Sequence, residues 1–198
     1  MNLPNKLTVL RIILVLVMIL IPFFGIKGDV YGVTIECIIL DAIFIIASIT
    51  DNLDGRIARK RNLVTNFGKF LDPIADKILV ITALIMLVEM GRLPAWIPSI
   101  VIFREFLVSG YRLVAAQSEG KVIAASIWGK IKTTTQMIAI ILAFIDVNAY
   151  GTFVKGGLTT IPLVLNILTT VMMTVSVIAA IFSGWDYLKN GKDLLKDM

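Results

Sequence analysis

The sequence predicts an all-α integral membrane protein of six transmembrane helices with both termini in the cytoplasm. Three observations predict it. Of 198 residues, 58% are hydrophobic and only 17% charged, against about a half and about a quarter in an ordinary soluble domain. The mean hydropathy is +0.90. The apolar residues fall into runs long enough for several bilayer crossings at about 20 residues each, joined by short connections. Six such helices use nearly the whole length, so residues 1–198 are read as a single membrane domain.

The first run extends from about Leu7 to Phe24 and is closed by Pro22, Gly25 and Gly28. Arg11 interrupts it and no small-residue cleavage site follows Phe24, so it reads as a retained helix and not a signal peptide. The second runs from about Val33 through Ala47 and continues as a helix into the charged stretch Asp51 to Lys60. The third spans about Asn66 to Met90, before Gly91 and Pro94. The remaining three cover about Ala95 to Gln117, Ala124 to Ile145 and Leu158 to Leu188. Basic residues in short loops are retained on the cytoplasmic side. With the N-terminus inside, this puts Lys6, Arg11, Arg56, Arg59, Lys60, Arg61, Lys69, Arg104, Arg112, Lys121, Lys130, Lys132, Lys189, Lys192 and Lys196 in the cytoplasm. Only Lys27, Arg92 and Lys155 remain outside.

Composition also narrows the chemistry. With no histidine there is no histidine base, Ser-His-Asp triad or zinc-histidine site. The one cysteine, Cys37, cannot form an intrachain disulfide.

The carboxylates are the informative group. At about 100° per residue, Asp51, Asp54, Gly55 and Ala58 share one face of the second helix, and Gly68, Asp72 and Asp76 one face of the third. The short connection from Lys60 to Thr65 makes these helices antiparallel neighbours, so that four carboxylates converge. Each acid costs roughly 2.5 to 3.5 kcal/mol at the centre of a membrane helix, and four together repel one another. Divalent cations with oxygen ligands offset that, and a pair of them about 3.5 to 4 Å apart suits displacement at a phosphoryl group. Gly55, Ala58 and Gly68 leave space for a ligand beside them. The competing explanation pairs these acids with Arg56, Arg59, Arg61 and Lys77 at helix ends.

Asp51 to Asp76 follows the pattern Asp-x2-Asp-Gly-x2-Ala-Arg-x8-Gly-x3-Asp-x3-Asp at every fixed position. In this the chain resembles the CDP-alcohol phosphotransferases. The resemblance implies that Asp51, Asp54, Asp72 and Asp76 bind two divalent cations, magnesium or manganese, with Asp76 also the general base. It implies further that Gly55, Ala58, Arg59, Thr65 and Gly68 line the site for the CDP moiety. The segments Asn2 to Arg11, Arg104 to Arg112 and Gly129 to Thr133 are similar to those of bacterial phosphatidylglycerophosphate synthases. That likeness implies CDP-diacylglycerol as donor, sn-glycerol 3-phosphate as acceptor, CMP release, a homodimer, and a bacterial inner-membrane location with the site on the cytoplasmic side. Cardiolipin and phosphatidylserine synthases share parts of these segments and are the alternatives within the family.

Arg104 and Arg112, eight apart and so separated by about 80° around a helix, are candidates with Lys130 for binding an acceptor phosphate. Contact with anionic lipid is their competing role. Asn5 and Thr8, at three-residue spacing with Arg11, are candidates for the nucleotide, with helix capping as the rival for Asn5. Nothing points to nucleic acid. From another class, a cation transporter would use intramembrane carboxylates as an ion path. Against it, the aspartates sit toward the cytoplasmic helix ends and no inverted repeat is evident.

Overall fold

A computed structural model of the protein describes residues 3–60, 66–118 and 126–190, with side chains at 5–51, 71, 73–113 and 126–189. Among the described residues there are six α-helices: α1 (Leu3–Leu20), α2 (Ile35–Lys60), α3 (Asn66–Glu89), α4 (Trp96–Ser118), α5 (Ile127–Ile145) and α6 (Thr160–Asn190). They match the six expected runs to within a few residues. Two stretches, Asn5–Phe24 and Thr160–Lys189, are long and apolar enough to cross a membrane. Large apolar side chains also cover the outward faces of several helices, among them Leu16, Ile46, Ile85, Phe103, Phe106 and Ile161. Scattered exposed apolar residues are ordinary on soluble proteins; whole apolar helix faces are what lipid requires.

Two local departures have clear causes. Between α1 and α2 the chain forms a hairpin, β1 (Asp29–Val30) pairing antiparallel with β2 (Val33–Thr34). Its two-residue turn places Tyr31 at φ 53° and Gly32 at φ 83°, the primed turn whose twist suits adjoining strands. Helix α2 therefore starts at Ile35 and not at Val33. At the other end of the chain, α1 begins at Leu3, so Asn5 lies inside the first turn and does not cap it.

The chain divides into two units, residues 1–92 with 143–147, and residues 93–142 with 148–198. In the first, α1 packs against both α2 and α3. Its inward stripe is Asn5, Thr8, Arg11, Val15 and Met18, all buried, at the three- and four-residue steps of one helix face. The apolar part meets Cys37, Leu40, Phe44 and Ala47 of α2 and Leu79, Ala83 and Leu87 of α3 in a common core. Gly91, at φ 69°, ends α3. The Gly91 N–H donates to the Val88 carbonyl and that of Arg92 to Leu87, the paired bonds of a Schellman cap. That turn sends the Arg92 side chain onto the end of α5, where Nη1 donates to the carbonyls of Ala143 (2.9 Å) and Phe144 (2.6 Å) and Nη2 to Cys37 Sγ (3.0 Å). Helix C-termini leave such carbonyls without partners, and a cation there is favourable. Arg92, expected on the outer side of the membrane, is 8% exposed and caps a helix.

In the second unit α4 packs on α6. Ser176, Ala180 and Ser183 are buried on α6 against Ile97, Val101 and Val108 of α4, small residues that let helices approach closely. The turn after α5 is fastened to α6 by Asn166, whose Oδ1 accepts from Phe153 N–H and whose Nδ2 donates to the Ala149 carbonyl.

Candidate active site

Two of the four signature aspartates ride on α2 and two on α3, and each pair is one helical turn apart. Asp51 is half-buried. Its Oδ1 lies 2.7 Å from Arg11 Nη1, and the Arg11 side chain is wholly buried. Arg11, at the polar end of the α1 stripe, thus meets α2 at Asp51. Just before Asp51, the hydroxyls of Ser48 and Thr50 donate to the carbonyls of Phe44 and Ala47, both at 2.7 Å. Such bonds slightly bend a helix. In α3, Pro73 sits between Asp72 and Asp76. It has no N–H, so the Lys69 carbonyl loses its usual helical partner beside the two acids.

Asp76 is exposed. The side chains of Asp54, Ala58, Arg59 and Asp72, and the surroundings of Gly55 and Gly68, lie outside what is described, and Thr65 lies outside the described residues altogether. Among the described residues no three acidic or cysteine side chains form a metal-binding group. The donor set as a whole nonetheless fits hard divalent cations, being carboxylate oxygen throughout and placed at helix ends.

The expected anion-binding residues lie in the second unit. Arg104 is largely internal. Its Nη1 is 3.1 Å from Glu105 Oε1, its Nη2 donates to Ser183 Oγ, and the same Glu105 oxygen also receives Lys132 Nζ. Arg104 and Lys132 therefore share one carboxylate within the helix packing. Arg112 differs. It is exposed, its Nη2 donates to the Tyr187 hydroxyl, and its guanidinium carbon lies 5.3 Å from the centre of the Tyr187 ring. Arg104 and Arg112 thus engage α6 at two levels one turn apart, Ser183 and Tyr187. Lys130, in the first turn of α5, is exposed.

The sequence did not reveal the partners that these side chains have in the structure. The Arg11 to Asp51 pair joins residues on different helices and no periodicity within either reveals it. Glu105 carried a signal, as an acid inside an otherwise basic segment. So did Ser183 and Tyr187, four apart on an apolar helix.

Residues 1–182 match the family described as CDP-alcohol phosphatidyltransferase. Among curated proteins, the CDP-diacylglycerol--glycerol-3-phosphate 3-phosphatidyltransferase of Bacillus subtilis is 42% identical, the alignment covering 98% of this chain and 97% of that protein. The proteins of the same name from Haemophilus influenzae and Rickettsia typhi are 38% and 36% identical, covering 99% and 95% of this chain and 96% of each relative. The chain belongs to the CDP-alcohol phosphatidyltransferase family and is an enzyme of that class.

Proposed function

We propose that the protein transfers a phosphatidyl group from CDP-diacylglycerol to sn-glycerol 3-phosphate, forming phosphatidylglycerol phosphate and CMP. The observation that carries this reading is the end-to-end similarity to relatives named for that reaction, with the acidic signature present at every fixed position. The acceptor hydroxyl attacks the phosphatidyl phosphorus, a new P–O bond forms, and the P–O bond to CMP breaks. Asp76 takes the hydroxyl proton, a role supported by its exposure. Asp51, Asp54, Asp72 and Asp76 hold two divalent cations, magnesium or manganese, which when bound neutralise the diphosphate and the charge developing on it. Arg11 fixes the Asp51 carboxylate from below. Gly55, Ala58, Arg59, Thr65 and Gly68 form the nucleotide side of the site, and Arg112 and Lys130 supply positive charge for the acceptor phosphate.

All six helices cross the bacterial inner membrane as one domain over residues 1–198, with both termini and the site on the cytoplasmic side. The apolar outward helix faces and the distribution of Lys and Arg support this arrangement. A CMP-release assay with purified protein, CDP-diacylglycerol and magnesium or manganese tests the activity. Glycerol 3-phosphate, serine, inositol phosphate and phosphatidylglycerol are supplied in parallel. Release that requires the metal and is fastest with glycerol 3-phosphate is expected; a preference for another acceptor, or no release, overturns the proposal.

A further inference from the structure

We propose that Tyr187 is a positioning residue that aims Arg112 at the phosphate of the acceptor, so that α6 contributes to acceptor selection without touching the substrate. The inference rests on the acceptor reading given above.

The two arginines of α4 differ in charge balance. Arg104 has Glu105 beside it and Ser183 against it, and is mostly buried. It shares the Glu105 carboxylate with Lys132 and is held inside the helix packing. Among the described residues Arg112 has no carboxylate within ion-pair distance, and it is exposed. What holds it is neutral: the hydroxyl and ring of Tyr187, itself only 3% exposed. A neutral clamp on an exposed cation leaves the positive charge in place and restricts where it points.

The geometry leaves the right groups over. A guanidinium has five N–H donors in a rigid plane. Tyr187 takes one Nη2 hydrogen as acceptor while its ring lies near the guanidinium carbon. The remaining edge can grip a phosphate through two parallel bonds, the arrangement in which arginine surpasses lysine. An unclamped arginine must give up rotamer freedom when it binds; a clamped one has given it up beforehand. Anionic lipid headgroups carry the same phosphate chemistry, so the test separates them from the soluble acceptor.

Purified full-length Tyr187→Phe, Tyr187→Leu and Arg112→Ala are assayed in phosphatidylcholine vesicles, which carry no net-anionic lipid beyond the donor. Apparent KM is read separately for glycerol 3-phosphate and CDP-diacylglycerol. Phenylalanine keeps the ring and removes the hydroxyl, and should raise KM for glycerol 3-phosphate by about fivefold; leucine removes both and should raise it by about tenfold or more. KM for CDP-diacylglycerol and the melting temperature of the Phe variant should stay unchanged. Because Tyr187 acts through Arg112, the double variant Arg112→Ala/Tyr187→Phe should be no worse than Arg112→Ala alone. Multiplying effects in the double variant, or equal rises in both KM values, would mean a structural role and overturn the proposal. If Arg112→Ala raises KM for glycerol 3-phosphate and Tyr187→Phe does not, positioning fails and the acceptor reading stands. If Arg112→Ala has no effect on either KM, and matters only when phosphatidylglycerol is added to the vesicles, Arg112 is a lipid contact and both fall.

Discussion

Asp51→Asn breaks an ion pair whose two ends sit in different surroundings, and the difference predicts an asymmetry. The Arg11 side chain is 0% exposed and that of Asp51 40%, with 2.7 Å between them. Replacing Asp51 by Asn leaves a buried guanidinium deprived of this carboxylate. Breaking a fully buried pair costs about 3 to 5 kcal/mol. Water already reaches the Asp51 side, so a discounted loss of about 2 to 3 kcal/mol is expected. Arg11→Met does the reverse: it leaves a carboxylate that water can solvate and fills the buried space with an unbranched apolar chain. The expected loss is about 1 kcal/mol. Thermal unfolding in detergent, with EDTA present so that cation binding contributes to neither variant, reads the difference. At about 2 to 4 °C per kcal/mol for a chain of this size, Asp51→Asn should melt about 4 to 12 °C below the parent and Arg11→Met about 2 to 4 °C below. A larger loss for Arg11→Met, or none for either, would refute the view that a buried cation on α1 is held by the acidic end of α2.

Three further outcomes are expected. Asp76→Asn should insert and purify normally yet release CMP about 10² to 10⁴-fold more slowly, the loss of a general base; near-normal turnover at saturating metal would remove that role. Ala58→Leu should raise KM for CDP-diacylglycerol with assembly intact, whereas aggregation would assign Ala58 to helix packing. Cysteines introduced at Lys27 and Arg61 in a Cys37→Ser background should be modified by membrane-impermeant reagent from outside and inside respectively. Lys27 is chosen because it is exposed where Arg92 is buried, and the opposite labelling would invert the orientation.

The helices were legible because each apolar run is long and ends at Gly, Pro or charge, as at Pro22 and Gly91. Their polar ends were less so. Helix α1 begins four residues before its apolar run does, since Asn5 is buried and tertiary packing supports a turn that hydropathy does not mark. The hairpin at residues 29–34 escaped notice because strands of two residues show no alternation. The acidic signature was legible as a spacing within two helices. What secures it was not, since Arg11 and Asp51 are 40 residues apart and meet only once α1 lies against α2.

Arginine in this chain takes its meaning from burial and partners, which the sequence does not contain. Arg11 is wholly buried and faces a carboxylate, Arg92 is buried against the carbonyls that end α5, and Arg104 is folded onto Glu105 and Ser183. In each the charge is spent within the protein, where an unmatched one would be costly. The bond from Arg104 to Ser183 and that from Arg112 to Tyr187 reach one helix a turn apart, from residues that look alike in sequence. Among the described residues the second arginine has no carboxylate within ion-pair distance, and it is exposed. On the function proposed above its charge serves the acceptor phosphate, whereas Arg104, bonded to Ser183, holds α4 against α6.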